Sequence, residues 1–159
     1  MTSALRHPMF IRIASMLLSL TLLLCLSSAV PLNGVGASVF IALSSLIFAS
    51  LALGVTIGNL EENFARCGLF VYLAGGNEEI VTWRNLEYSV SLCLSTCNFV
   101  GMILNWGLAL SAQHGTPYGP AAFFSFMLSV MYLAGAIIAL NTDEAEEAET
   151  VRLSAYENL

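Results

Sequence analysis

The sequence predicts an all-α protein: a four-helix transmembrane bundle of two helical hairpins, with both termini cytoplasmic. Two long stretches without any Asp, Glu, Lys or Arg carry that prediction. One runs from Ile13 to Leu60 and the other from Tyr88 to Thr142. Each is more than twice the roughly 20 apolar residues that cross a bilayer once, so each accommodates two crossings and a turn. A third observation is composition: 57% of the 159 residues are hydrophobic and the mean hydropathy is +0.79, far from the balance of a soluble domain.

Span one is expected over residues 9–30, behind a short cytoplasmic N-terminus at 1–8. Its centre, Met16 to Leu26, is leucine-rich. Arg6 and Arg12 before an apolar core, with Ser27-Ser28-Ala29 after it, imitate a secretory signal. The apolar run continues to Val30, long enough for a span, so it is expected to stay uncleaved. Pro31 to Gly36 holds a proline and two glycines and reads as a turn. Span two is expected over 37–58, closed by Glu61 and Glu62.

Residues 61–87 form the only long polar connection. Within them Cys67 to Ala74 is an apolar octamer, too short to span. It is expected to lie at the headgroup level, pack under the bundle or re-enter the bilayer. Trp83 and Tyr88 suit the membrane–water boundary. Span three is expected over 89–112, a Gly- and Pro-rich turn over 113–120, and span four over 121–140. An acidic tail, 141–159, is polar and expected to be mobile.

With four crossings, both termini and the 61–87 loop share one side. All five arginines, Arg6, Arg12, Arg66, Arg84 and Arg152, fall there, as do all eleven acids. The positive-inside rule makes that side cytoplasmic. The outer turns are too short to receive a large ligand. A net charge of −6 argues against nucleic acid as a partner, and against a polybasic patch for anionic lipid.

Within the expected spans there is no Asp, Glu or Lys, and only Arg12 at an edge. That weighs against ion-coupled transport, which uses a buried ionisable group. His7 and His114 lie at an edge and in a turn, the places of solvated or interfacial histidines. Cys93 and Cys97 are one helical turn apart, but no second pair of ligands matches their depth. They read as small buried hydrophobes. No metal or cofactor site is expected, and no nucleophile–base set or phosphate loop marks an enzyme.

Span three is the most polar. Leu94, Asn98, Gly101 and Asn105 recur at helical spacing and share one face. An amide in hydrocarbon needs a partner, so Asn98 and Asn105 are read as interhelical hydrogen-bonding residues. The alternative is a polar lining for a pore or a lipid headgroup. Gly54 and Gly58 form a GxxxG, and Gly135 and Ala139 repeat a small-xxx-small pattern. Both are helix-packing candidates, within the bundle first and between protomers as the alternative. Cys67, beside Arg66 and an apolar run, is a candidate for S-palmitoylation, against a simply buried thiol. Tyr156 and Leu159 make a terminal Tyr-x-x-apolar pattern that resembles a sorting signal read by a cytoplasmic adaptor.

Four spans, cytoplasmic termini, tiny outer turns and an arginine opening span one resemble MARVEL-type tetraspan proteins. The residues that carry this are Arg12-Ile13-Ala14 leading into Met16–Leu26, Val39 to Ala52, and Cys97-Asn98-Phe99-Val100. The resemblance covers residues 9–140. It implies vesicle trafficking, membrane apposition or lateral domain organisation, and transfers no functional residue. The chain departs from the family in its minimal outer loops and its lack of an outer cysteine pair, which speaks against a junction-forming role.

The expected function is that of a non-enzymatic membrane organiser or trafficking adaptor in the plasma membrane or an endomembrane. Its partners would be membrane lipids, other transmembrane helices and a cytoplasmic adaptor. The alternatives are an accessory subunit of a larger membrane complex (respiratory, transporter or channel) and a pore-forming homo-oligomer lined by span three.

Overall fold

The structure, a computed structural model, describes residues 6–58, Leu60, 83–112 and 117–157, with side chains described for 9–58, 60, 83–112 and 117–140. Among the described residues four helices follow one another: α1 (Arg6–Ser27), α2 (Val35–Ile57), α3 (Trp83–Ser111) and α4 (Tyr118–Glu157). No strand occurs among the described residues. Each helix contains a stretch long and apolar enough to cross a bilayer: Met9–Ser27, Val35–Ile57, Trp83–Ser111 and Tyr118–Leu140. The chain is an integral, multi-pass membrane protein with an all-α four-helix fold.

The helices pack in a ring, α1 on α2, α2 on α3, α3 on α4 and α4 back on α1. The α3–α4 hairpin is the most closely packed pair and the α2–α3 side the most open. Chain order around the ring therefore equals spatial order, as short turns between antiparallel neighbours require.

The turn residues explain the hairpins. Gly34 sits at φ 105° ahead of α2, a left-handed backbone that costs glycine nothing and most other residues 1–2 kcal/mol or so. At the second turn Pro120 lies in the first turn of α4, where its missing N–H has no helical acceptor to lose. Tyr118, fully buried, donates its hydroxyl hydrogen to the Val30 carbonyl. That bond ties the start of α4 to the chain leaving α1 and closes the α1–α4 side of the ring.

The distribution of polarity is inverted relative to a soluble bundle. The buried positions are mostly Ala, Ser and Asn: Ser19, Ser45, Asn98 and Ala42 are each 0% exposed. Large aliphatic and aromatic side chains point outward, among them Phe40, Ile47, Ile103, Leu110 and Phe123. Lipid tails are as apolar as leucine, so burying leucine against leucine gains little in a bilayer. Close approach of small residues and interhelical hydrogen bonds take over. Outward hydroxyls bond to their own helix. Thr21 donates to the Leu17 carbonyl, Ser44 to Phe40, Ser50 to Leu46 and Thr96 to Leu92, at 2.8–3.0 Å. In hydrocarbon that is the partner always within reach.

Two features depart from the sequence reading. Helix α3 begins at Trp83, not Ser89, so residues 83–87 belong to the helix rather than to the polar loop. Trp83, the first described residue of α3, is buried against Ala52, Val55 and Leu86, and this contact holds that end of α3 to the end of α2. The tail, expected to be mobile, continues α4 as helix through Glu157. Runs of Glu and Ala are good helix formers, and a helix already nucleated in the membrane propagates into them without repeating the nucleation cost. The remaining parts of the 61–87 connection, Cys67 to Ala74 included, lie outside the described residues.

Candidate functional site

The polar interior divides into an ion pair at one end and a ladder of serine and asparagine above it. Arg12 on α1 and Glu87 on α3 meet in a fork: Nε donates to Oε1 at 2.9 Å and Nη2 to Oε2 at 2.5 Å. Their side chains are 11% and 18% exposed. Bidentate geometry is the strongest form of such a pair, and it also fixes the angle between the two helices. The sequence reading placed Glu87 in the aqueous loop and counted no acid within the spans. The extension of α3 back to Trp83 corrects this, bringing a carboxylate to the depth of Arg12. Arg12 is a sign that some acid is needed, since a guanidinium facing the interior of a bundle calls for a counter-ion, but nothing in the local sequence says that Glu87 is that acid.

Above the pair, three helices converge on Ser45 of α2. Asn98 Nδ2 donates to Ser45 Oγ at 2.8 Å and also to the Leu94 carbonyl at 2.8 Å. Tyr132 of α4 donates its hydroxyl hydrogen to the Ser45 carbonyl at 2.7 Å. Its ring lies 6.4 Å from that of Phe48, centroid to centroid. On the α3–α4 side, Ser95 Oγ donates to the Ser129 carbonyl at 2.9 Å. One helical turn beyond Gly101, Asn105 Nδ2 donates to Ser125 Oγ at 3.1 Å. Each of these bonds crosses between helices, except that of Asn98 to Leu94, and such bonds in a membrane contribute about 0.6 kcal/mol on average and about 1.7 at most. The Oδ1 atoms of Asn98 and Asn105 and the hydroxyls of Ser15 and Ser38 have no hydrogen-bond partner among the described residues.

The other expected packing residues fall in different places. Gly101 is buried, and a Cβ there would meet Ile41 at 3.7 Å and Ser125 at 3.8 Å. Gly135 faces α1, where a Cβ would lie 3.8 Å from Ile11. Ala139 is half-buried one turn further on. Gly54 is exposed with open space around its Cβ position. Gly58 caps the end of α2, its N–H bonded to the Gly54 carbonyl at 2.9 Å. The GxxxG thus faces away from this bundle. Which neighbour a glycine faces is a tertiary matter that a local pattern does not encode.

The cysteines are a correction. Cys93 is exposed on the outer face and Cys97 half-exposed, so they are lipid-facing rather than buried: the polar face of α3, a third of a turn away, takes the interior. Among the described residues no three His, Cys, Asp or Glu side chains gather as metal ligands. Tyr156 lies in the last turn of α4, so strand-like recognition of Tyr-x-x-apolar requires that turn to unwind. Cys67, His114 and Leu159 lie outside the described residues.

Gly101 gives a direct test of close packing. Gly101→Ala places its methyl at ordinary contact distance and is expected to leave stability within about 0.5 kcal/mol, helped by alanine's helix propensity. Gly101→Leu has no room and is expected to cost about 2 kcal/mol by forcing α2 and α4 outward. Unfolding in mixed micelles, read by circular dichroism, checks both.

Set beside protein-family models, characterised proteins and solved structures, the chain matches none of them. The class rests on the structure alone: a multi-pass membrane protein in which interior polar side chains join the helices to one another.

Proposed function

We propose that the protein is a non-enzymatic membrane organiser or trafficking adaptor. It works through its lipid-facing surface and a helical arm that leaves the bilayer. The observation that carries this reading is the division of α4. Tyr118–Leu140 is a span, and the same helix of 40 residues continues to Glu157. The continuation from Asn141 adds roughly 25 Å at 1.5 Å per residue. It carries Asp143, Glu144, Glu146, Glu147, Glu149 and Glu157 against one Arg152. Placement of every arginine on the side of the termini supports a cytoplasmic arm. An acidic helix continuous with a span suits a basic groove on a cytoplasmic partner. The resemblance in topology to MARVEL-type tetraspan proteins agrees with this role.

One observation favours the second reading, an accessory subunit of a larger membrane complex. Gly36, Gly54 and Gly107 all have open space where a Cβ would stand, and bare backbone on an outer face admits close approach by another helix. The pore reading loses its main support. Asn98 and Asn105, its expected lining, are 0% and 1% exposed and bonded to Ser45 and Ser125.

Native mass spectrometry of the protein released from its own membrane in mild detergent separates the readings. Recovery alone, or as a homo-oligomer with bound lipid, is expected. Stoichiometric recovery with other membrane subunits would replace the organiser by the accessory subunit.

A further inference from the structure

A partly open cavity of about 30 Å³ lies among the four helices at the end that holds the ion pair. Arg12, Ser15, Glu87 and Ser91 supply its polar wall, and Ala49 and Met131 part of its apolar one. Ser15 is 2% exposed, and its Oγ has no hydrogen-bond partner among the described residues. Neighbouring Ser19 leaves that hydroxyl free, because it donates to the Ser15 carbonyl instead. Arg12 uses two donor nitrogens on Glu87. A guanidinium carries five N–H donors and a carboxylate about four acceptor sites, so both groups retain capacity.

Size and charge decide what such a site takes. One water needs at least roughly 10–15 Å³ of this kind of space, so the cavity holds two or three at most. A lipid headgroup or an organic cofactor is several times too large to be enclosed there. The pair is neutral as a unit, so no net charge draws a bare ion out of water. Water supplies both donors and acceptors, and a buried water typically makes about three hydrogen bonds. We infer that this cavity is a structural hydration site, in which one or two waters join the Ser15 hydroxyl to the Arg12–Glu87 pair. The waters solvate the pair inside the helical bundle and complete the base of the serine–asparagine ladder.

Radiolytic footprinting of the full chain in lipid nanodiscs tests this, because the radical forms from whatever water is present beside the side chain. Met131 lines the cavity. Met102, half-buried on α3, does not line it and serves as the internal control. Oxidation of Met131 is expected to be at least threefold faster than that of Met102. Ala49→Val, which fills part of the space, is expected to bring Met131 to the Met102 rate. Ser15→Ala, which removes a polar partner without filling the space, is expected to slow Met131 at least twofold. Equal rates for Met131 and Met102 in the unaltered protein overturn the inference. So does a Met131 rate that neither substitution changes. Should Ala49→Val fail to fold, Ser15→Ala alone decides.

Discussion

Replacing Glu87 with Ala is expected to destabilise the bundle by about 3 kcal/mol, the largest effect of any single polar substitution. The loss of the pair's attraction is the smaller part. Arg12 remains between α1 and α3, where it is only 11% exposed, and an unpaired charge held out of water typically costs 3–5 kcal/mol. Arg12 stands near one end of its span, so its long side chain can reach toward the interface and recover some of this. That places the expected value at the lower end. The double variant Arg12→Met with Glu87→Leu removes both charges and fills their volume. It is expected within about 1 kcal/mol of the unaltered protein, since hydrophobic replacements of buried pairs are often neutral or better. Steric-trap unfolding in bicelles measures both. A double variant as unstable as the single one would mean that Arg12 and Glu87 are not coupled.

The second large effect is expected at Asn98. Asn98→Ala should cost about 2 kcal/mol: the bond to Ser45, within the range of interhelical bonds in membranes, plus a void in a site that is 0% exposed. Asn105 makes one longer bond, 3.1 Å to Ser125, and Asn105→Ala should cost about half as much. Phe99 is adjacent in sequence but 46% exposed, and Phe99→Ala should change stability by less than about 0.5 kcal/mol. A double-mutant cycle between Asn98 and Ser45 should give a coupling of about 0.6–1.7 kcal/mol. Phe99→Ala costing more than Asn98→Ala would place the polar face of α3 outside the bundle.

These expectations show what was legible in the sequence and what was not. The four spans were legible because charge-free length alone sets them. The turns were legible through Pro31, Gly34, Pro117 and Pro120, whose backbone restrictions act locally. The inward face of α3 followed from Leu94, Asn98, Gly101 and Asn105 at helical spacing, because amides in hydrocarbon have few other places to go. Glu87 was not legible. Its partner lies 75 residues away in sequence, and a charge read only against its neighbours looks aqueous. The GxxxG was legible as a motif but not as a direction. The serines that form the ladder were hidden among serines of the outer face, such as Ser44 and Ser50, which bond back to their own helix. Nothing in their local sequence separates the two groups.

The chain is an inside-out bundle whose interior polar bonds close within one molecule. Nitroxide scanning of α3 from Leu92 to Gly107 in lipid vesicles, with oxygen and a water-soluble nickel complex as relaxers, tests it most directly. Oxygen accessibility is expected to vary with a period of 3.6 residues. Maxima should fall at Phe99, Val100, Ile103 and Leu104, minima at Leu94, Asn98, Gly101 and Asn105, and nickel should reach none of the minima. Nickel access at Asn98 or Asn105, or oxygen maxima at those positions, would contradict it.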